Sequence, residues 1–269
     1  MSVFFDHINT HIRDNNLDRQ LQQMDAAGFV VRNSRVKSPA GMVSGFVDLT
    51  FTHLKFLSVV DECAFNKESS ANDKVFRKIA RPSGLGVLGW HFINTPEYAT
   101  PGVELNGVHY LPPTRRSPTQ LTMGPNTIFD FEGLVLCTDD LLNDFTAWQA
   151  TFTSVGANAE QVGPMTLQVD EQKFTWINSS EYLNQFGTAW ESVDSPSGKI
   201  AAIKVLAASV PTAAEHLRSG GFRVIVGTDK KTAYTLPSKD CGFTFVIREA
   251  NPDAHYGKLL PSIQTLLAS

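Results

Sequence analysis

Three histidines in strand-like segments, His7, His53 and His91, are the residues of this sequence best suited to bind a metal ion or a small ligand. A divalent Fe, Mn, Ni or Zn ion needs about three imidazole or carboxylate groups, each roughly 2.0–2.2 Å from the ion. The same imidazoles could instead hold an organic acid or a carbonyl compound through hydrogen bonds. They could also be satisfied or solvent-facing side chains. The sequence leaves these three alternatives open.

Basic residues near these histidines suggest an acidic ligand. Lys55 follows His53 by two positions, so strand alternation puts both on one face of a sheet. An ammonium group beside a metal position would repel a divalent ion unless it lost its proton. Lys55 is therefore either an anion-binding group or an edge lysine that reaches solvent. Arg115 and Arg116 follow a Pro-Pro pair, and a guanidinium suits a carboxylate or phosphate. The alternative for this pair is a solvated loop.

Other motifs do not indicate a function. Residues 84–89 match G-x-G-x-x-G, but they follow a Pro-Ser turn and run into a strand-like segment. A dinucleotide site needs a strand, a turn and then a helix N-terminus. Asp139, Asp140 and Asp144 cluster at a predicted helix start, which indicates capping rather than calcium binding. No G-x-S-x-G nucleophile motif is present.

Four segments that could position these residues share one order of elements: a strand, a polar start signal, an amphipathic helix, a glycine and a β-rich tail. Their strands read FFDHINTHI, LGVLGWHFIN, EGLVLC and IAAIKVLAA. Asp, Thr and Ser side chains accept hydrogen bonds from the first free N–H groups of a helix, and a final glycine supplies the positive φ that ends it. The second segment is the weakest, because Pro101 and Gly102 interrupt its helix. The pattern predicts about four βαβββ modules.

Two stretches fall outside this order, and one alternative fold remains. Residues 61–83 are predicted to be a loop with a short helix, and residues 178–199 an insertion. The alternative is a doubly wound α/β protein, but a parallel sheet needs a helix after nearly every strand. Here several strand-like segments follow each helix.

A βαβββ unit whose first strand carries a histidine shortly before an Asp-initiated helix resembles the vicinal oxygen chelate (glyoxalase/bleomycin resistance/dioxygenase) superfamily. The matching segments are DHINTHIRDNNLDRQLQQMDAAGF and THLKFLSVVD, and LGWHFINTPEYATPGVELNGVHYLPPTRRS is similar to its glyoxalase-like branch. The resemblance implies an α+β fold whose modules form paired curved mixed sheets with helices on the outside. It implies one pair of modules in residues 1–131 and a second pair in residues 132–269.

In metal-dependent members of that superfamily, the ligands come from the first and last strands of each module. By resemblance, His7 occupies the first-strand position of module one, and the last-strand position, usually Glu, falls on Lys55. Gly89 takes the first-strand position of module two, with His91 two residues further on the same face. Gly133 and Ala201 or Ala202 take those positions in modules three and four and cannot bind a metal through their side chains.

Composition argues against nucleic acid and membrane partners. The chain has 23 Lys and Arg against 27 Asp and Glu, with no basic cluster of the kind that binds nucleic acid or anionic lipid. No stretch approaches the roughly 18–20 apolar residues of a membrane span. Three widely separated cysteines, Cys63, Cys137 and Cys241, are typical of reduced thiols. We therefore expect a cytoplasmic protein, and a homodimer on the general frequency of two-fold dimers.

The sequence predicts binding of a small oxygenated or acidic molecule in a cup formed by the curved sheet. One hypothesis is a divalent-metal-assisted lyase, isomerase or dioxygenase, in which the metal acts as a Lewis acid. The alternative is a metal-free protein that binds or sequesters a small molecule, as resistance proteins do. A third is a scaffold that pairs with another chain through sheet edges or the 178–199 insertion. Metal analysis separates the first from the others.

Overall fold

The first of two mixed sheets is built from the N-terminal part of the chain. The computed structural model describes residues 4–12, 17–69, 87–93, 104–105, 108–111, 121–154, 157–169, 172–186, 199–236 and 244–258. The strands of the first sheet are β1 (Phe4–His11), β2 (Val30–Val31), β3 (Val36–Lys37), β4 (Met42–Asp48), β5 (His53–Val59), β6 (Val87–Ile93), β7 (Glu104–Leu105) and β8 (Val108–Leu111). Their order is β2-β4-β5-β1-β6-β8-β7, and β3 pairs with β4.

The second sheet comes from the C-terminal part. Its strands are β9 (Ile128–Cys137), β10 (Ala159–Gly163), β11 (Thr166–Val169), β12 (Gln172–Ile177), β13 (Lys199–Ala207), β14 (Val224–Val226), β15 (Thr232–Thr235) and β16 (Thr244–Glu249). Their order is β10-β11-β12-β9-β13-β16-β15-β14.

The strands of the two sheets are paired in the same pattern. The first strands of two modules lie side by side and antiparallel, β1 with β6 and β9 with β13. Each first strand is also parallel to the last strand of its own module: β1 to β5, β6 to β8, β9 to β12 and β13 to β16. This pattern confirms the predicted α+β fold of βαβββ modules in curved mixed sheets. A single doubly wound parallel sheet is not observed among the described residues. The division at residues 131 and 132 stays a prediction.

Six helices are described, and local signals bound several of them. They are α1 (Leu17–Ala26), α2 (Glu62–Glu68), α3 (Leu141–Ser154), α4 (Ser179–Phe186), α5 (Val210–Ser219) and α6 (residues 252–258). The Asp61 side chain caps α2 by accepting a hydrogen bond from the Ala64 N–H at 3.0 Å. Gly28 and Gly221 follow α1 and α5 with φ values of 78° and 86°, as predicted for residues that end helices. Most of the predicted second-module helix, residues 98–107, lies outside the described residues, but Glu104–Leu105 within it form the strand β7 instead of a helix.

Helices α1, α3 and α5 pack their apolar residues on one face of the sheets in a shared core. The rings of Phe29 and Phe245, from opposite halves of the chain, lie 5.4 Å apart. Gly220 at the end of α5 meets Ala27, where an added Cβ would come within 2.5 Å of the Ala27 Cβ. The helices therefore approach closely because a glycine stands at their contact. No helix in the described ranges is long and apolar enough to cross a membrane.

The segment expected to be an insertion, residues 178–199, contains α4, which packs on the face of the second sheet opposite to α3 and α5. Tyr182 and Phe186 of this helix are buried against Val135, Ile177 and Ala202. This face of the second sheet is therefore partly covered by a helix, which reduces the room for a ligand at the ends of β9 and β12.

Candidate functional site

A row of four histidines crosses the first sheet on four neighbouring strands. In the backbone register, His7 on β1 lies opposite His53 on β5 and, on its other side, opposite His91 on β6. His91 in turn lies opposite His109 on β8. Residues directly opposite each other in a sheet share a face, with Cα atoms about 4.5–5.5 Å apart. We call His53, His7, His91 and His109 the histidine row.

An acidic residue stands at each end of the histidine row. Asp48 on β4 lies opposite His53, and Glu104 on β7 lies opposite His109. Arg32 donates from its Nε to both carboxylate oxygens of Asp48, at 2.9 and 2.7 Å. One level of the sheet thus carries imidazoles flanked by carboxylates, the donor types that first-row divalent metals accept in proteins.

Within the histidine row, the structure describes the side chains of His7 and His53, and these two rings are in direct contact. The His7 and His53 rings stack with centroids 4.7 Å apart and an interplanar angle of 16°. His7 is only 6% exposed. Its neighbour Ile8 packs in the core under α1. Strand alternation therefore directs His7 to the face away from that helix. His53 is half-buried.

Phe46 on β4 forms a wall beside the stacked pair. Its ring meets the His53 ring edge-on, with centroids 5.4 Å apart. The Arg32 guanidinium carbon lies 4.8 Å from the centroid of the Phe46 ring, in a cation–π contact. Because Arg32 also holds Asp48, one arginine fixes both neighbours of His53 on this edge of the row.

The spacing of the stacked rings limits how they could bind one ion. Two nitrogens bound to the same ion at about 2.1 Å lie at most about 4.2 Å apart. Rings with centroids 4.7 Å apart must therefore tilt toward each other to share it. Among the side chains that the structure describes, no group of three or more His, Cys, Asp or Glu could hold a metal. A three-ligand site at this level needs donors beyond those side chains.

The structure brings part of the predicted site together. His7, His53 and His91 share one row, while Lys55 lies opposite Asn9, one step further along the same face as His53, and is half-buried. Arg115 and Arg116 lie outside the described residues.

The register differs from two assignments that the resemblance implied. His53, rather than Lys55, lies opposite His7 on the last strand of module one. His91, rather than Gly89, lies opposite His7 on the first strand of module two, and Gly89 is opposite Asn9. The sequence prediction missed His109. The signal that could have found it is the strand-like tail VHYL after the second helix segment, since a last strand is where a ligand was expected.

The corresponding strands of the second sheet carry no such row. Gly133 on β9 lies opposite Lys173 on β12 and opposite Lys204 on β13. Ala202 is buried under α4. Glycine and alanine supply no side-chain donor for a metal at these positions.

Comparison with known proteins rests on structure, because no protein-family model matches the sequence and no curated protein sequence is significantly similar to it. A hypothetical protein from Staphylococcus aureus is 9% identical with a TM-score of 0.56, and the match covers 92% of this chain and 100% of that one. A mutant of 4-hydroxymandelate synthase from Streptomyces coelicolor is 11% identical with a TM-score of 0.54, covering 97% and 98% of the two chains.

A third similar structure is a xylose isomerase-like TIM barrel/4-hydroxyphenylpyruvate dioxygenase fusion protein, 8% identical with a TM-score of 0.55. The match covers 98% of this chain but only 52% of the fusion protein. At such low identities the likeness concerns the fold and not the reaction. The chain is therefore similar in fold to these three solved structures.

Proposed function

We propose that this protein binds a small oxygenated molecule at the histidine row, together with a divalent metal ion held by His7, His53 and His91, with His109 as a fourth donor. The observation that carries the proposal is the alignment of one histidine on each of four neighbouring strands. Chance placement of ordinary core histidines does not favour four successive strands at one level. Imidazole is a ligand for Fe, Mn, Ni and Zn, so the donor set fits these ions.

The surroundings of His7 suit a ligand position. His7 is buried, and an imidazole binds a metal through a ring nitrogen that carries no proton. A bound metal would supply Lewis acidity toward two neighbouring oxygens of a substrate. This chemistry serves a lyase, an isomerase or a dioxygenase, and we propose that the reaction, where there is one, belongs to these classes.

Lys55 and Phe46 would orient the substrate. Lys55 is half-buried one step from His53 on the same face, where its ammonium could pair with an acidic group of the molecule. Phe46 offers an apolar wall on the same side of the row. A substrate with vicinal oxygens at one end and an acidic or apolar group at the other would use both.

A metal-free binding protein is the second candidate, and Lys55 is the observation that favours it. A lysine on the same face as the histidines weakens binding of a divalent cation by charge repulsion. The same lysine strengthens binding of an organic acid that the histidines hold by hydrogen bonds. In this case the protein would sequester an acidic molecule without converting it.

Metal analysis of the purified full-length chain, after incubation with each of Fe²⁺, Mn²⁺, Ni²⁺ and Zn²⁺, separates these functions. We expect near-stoichiometric metal in the wild type. The H7Q and H91Q variants should lose affinity by at least the roughly 10–100-fold that loss of an outer-shell partner costs. The matched control is H216Q, because His216 lies on α5, away from the row. Retention of no metal by the wild type, or equal retention by H7Q and H216Q, would refute the metal site. A stabilising thermal shift with organic acids would then support the second candidate.

A further inference from the structure

A second site is indicated by a polar cavity of about 420 Å³ against the second sheet. Its volume lies in the range of roughly 300–1,000 Å³ that small-molecule sites occupy. The polar side chains that line it come from β9, β11, β12, β16 and α6, namely Glu132, Gln168, Lys173, Arg248, His255 and Lys258. Five separate elements thus converge on one space.

The cavity occupies the half of this sheet face that α4 leaves uncovered. On β12, Lys173 lies on the same face as Ile177, which packs under α4. On β13, Leu206 lies on the same face as Ala202, which also packs under α4. The face is therefore divided into an apolar half closed by Tyr182 and Phe186 and a polar half that holds the cavity.

Among the residues that the structure describes, positive charge exceeds negative charge around this space. Lys173, Arg248 and Lys258 line the cavity, and Lys204 lies two strands from Lys173, with Gly133 on β9 between them in the register. In the described part of the chain, two acids oppose these four cations. Glu132 pairs with Arg248, with 2.8 Å from the Arg248 Nε to the Glu132 Oε1, and Asp130 pairs with His255 at 2.7 Å.

The ion pair with Glu132 holds the Arg248 guanidinium in place before a ligand binds. Glu132 accepts from both the Nε and an outer nitrogen of the guanidinium, the latter at 2.7 Å. An arginine has five N–H donors, so this contact fixes the plane of the group while others remain for a ligand. Lys204 is held similarly, since its Nζ donates to the Thr175 Oγ1 at 2.6 Å.

We propose that this cavity binds a small organic anion carrying carboxylate or phosphate groups, with Lys173 and Arg248 as its direct partners and Lys204 and Lys258 adding charge. The proposal does not depend on the histidine row, which belongs to the other sheet. It makes the C-terminal half a binding module in its own right.

Lys204 gives the site a pH dependence. Burial lowers the pKa of Lys204 to about 8, Glu132 opposes this shift, and Lys173 adds to it. Arg248 on β16 and His255 and Lys258 on α6 are the other charged or titratable groups that line the cavity. An added anion favours the protonated lysine, so its affinity should be greatest below about pH 8 and fall as Lys204 deprotonates.

The test measures binding of malonate and of inorganic phosphate to the full-length chain by isothermal titration calorimetry at constant ionic strength, with chloride as the competing anion. We expect saturable binding of at least one probe, and the stronger probe identifies the preferred oxyanion. K173M should bind at least tenfold more weakly. Lys173 is exposed, so this substitution leaves the fold intact. The matched control is K67M, at an exposed lysine on α2, and it should bind like the wild type.

A second variant tests the pH dependence. In K204M, the decline of affinity between about pH 7 and about pH 9 should flatten, because the group that titrates there is gone. The proposal is overturned if neither probe binds saturably to the wild type, or if K173M binds as tightly as K67M. It is also overturned if K204M keeps the full pH dependence of the wild type.

Discussion

Replacing Lys204 by methionine should stabilise the protein at neutral pH and change how its stability depends on pH. Burial lowers the pKa of this lysine from 10.5 to about 8, so its charged form is disfavoured in the folded state. Below about pH 8 both states carry the proton, and the folded state bears the full cost. Between about pH 8 and the unfolded pKa, the unfolded state binds more protons, so wild-type stability rises with pH.

The size of this rise follows from the two pKa values. Proton linkage with these values gives a gain of about 2 kcal/mol in the free energy of unfolding between about pH 7 and about pH 9.5. Methionine has no titrating group, so the substitution removes the cost of burying the ammonium. It also loses the hydrogen bond to Thr175. The net gain in the free energy of unfolding at neutral pH is of order 2–3 kcal/mol. K204M should therefore be more stable than the wild type at neutral pH and lack this rise.

Urea unfolding at several pH values, followed by circular dichroism, measures both effects. The burial that surrounds Tyr182 raises the pKa of its phenol, which lowers stability only above the ordinary tyrosine pKa of 10.0. The series should therefore stop near pH 9.5. K67M, at an exposed lysine, serves as the control and should follow the wild type. If K204M and the wild type gain equal stability over this range, the lysine is not the group that titrates, and the argument for its burial fails.

Two further pairs of substitutions test the packing. Gly28→Ala should destabilise the protein by about 1–3 kcal/mol in chemical denaturation, because φ is 78° and the added Cβ would lie 2.8 Å from the Asn126 nitrogen. Gly257→Ala, where an added Cβ meets nothing within 4 Å in a helix, should instead be neutral or stabilising. Phe186→Ala should cost about 3–5 kcal/mol, since Phe186 is 1% exposed on the side of α4 that packs on the sheet. Leu183→Ala, at a residue 41% exposed on the same helix, should change stability by less than about 0.5 kcal/mol. Equal effects within either pair would contradict the packing described.

The modular fold could be predicted because the signals that begin and end its helices are local in sequence. Gly28 and Gly221 have the positive φ that a helix-ending glycine was expected to supply, and the Ser209 side chain caps α5 by accepting from the Thr212 N–H. Such signals act within a few residues and do not depend on the rest of the fold. The covering role of α4 could not be predicted in this way. A short polar stretch contains no information about the sheet face on which its few apolar residues will pack.

The histidine row could be predicted only in part, because strand register is a property of the whole sheet. Alternation along one strand placed His53 and Lys55 on the same face, but it could not decide which of them lies opposite His7. The β1–β6 pair contains register shifts between Phe5 and His7 and between Asn9 and Thr10. Each shift changes which residues oppose each other further along the strand. The resemblance put the first-strand position of module two at Gly89, whereas the register places His91 opposite His7.

The two sheets share one strand arrangement, so their ligand preferences must come from the residues that stand at equivalent places. In the first sheet, the neighbouring strands β5, β1, β6 and β8 are the last, first, first and last strands of their modules. They carry His53, His7, His91 and His109 at one level. In the second sheet, the equivalent strands β12, β9, β13 and β16 carry Lys173, Gly133, Lys204 and Val246. Neutral imidazoles can donate lone pairs to a cation, whereas protonated ammonium groups have none to donate and attract anions. A divalent ion placed among the lysines would meet like charge on both sides, and an anion among neutral imidazoles would find only single N–H donors. We therefore propose a metal-supported site for the first sheet and an anion site for the second, because lysines stand in the second sheet at places where the first carries histidines.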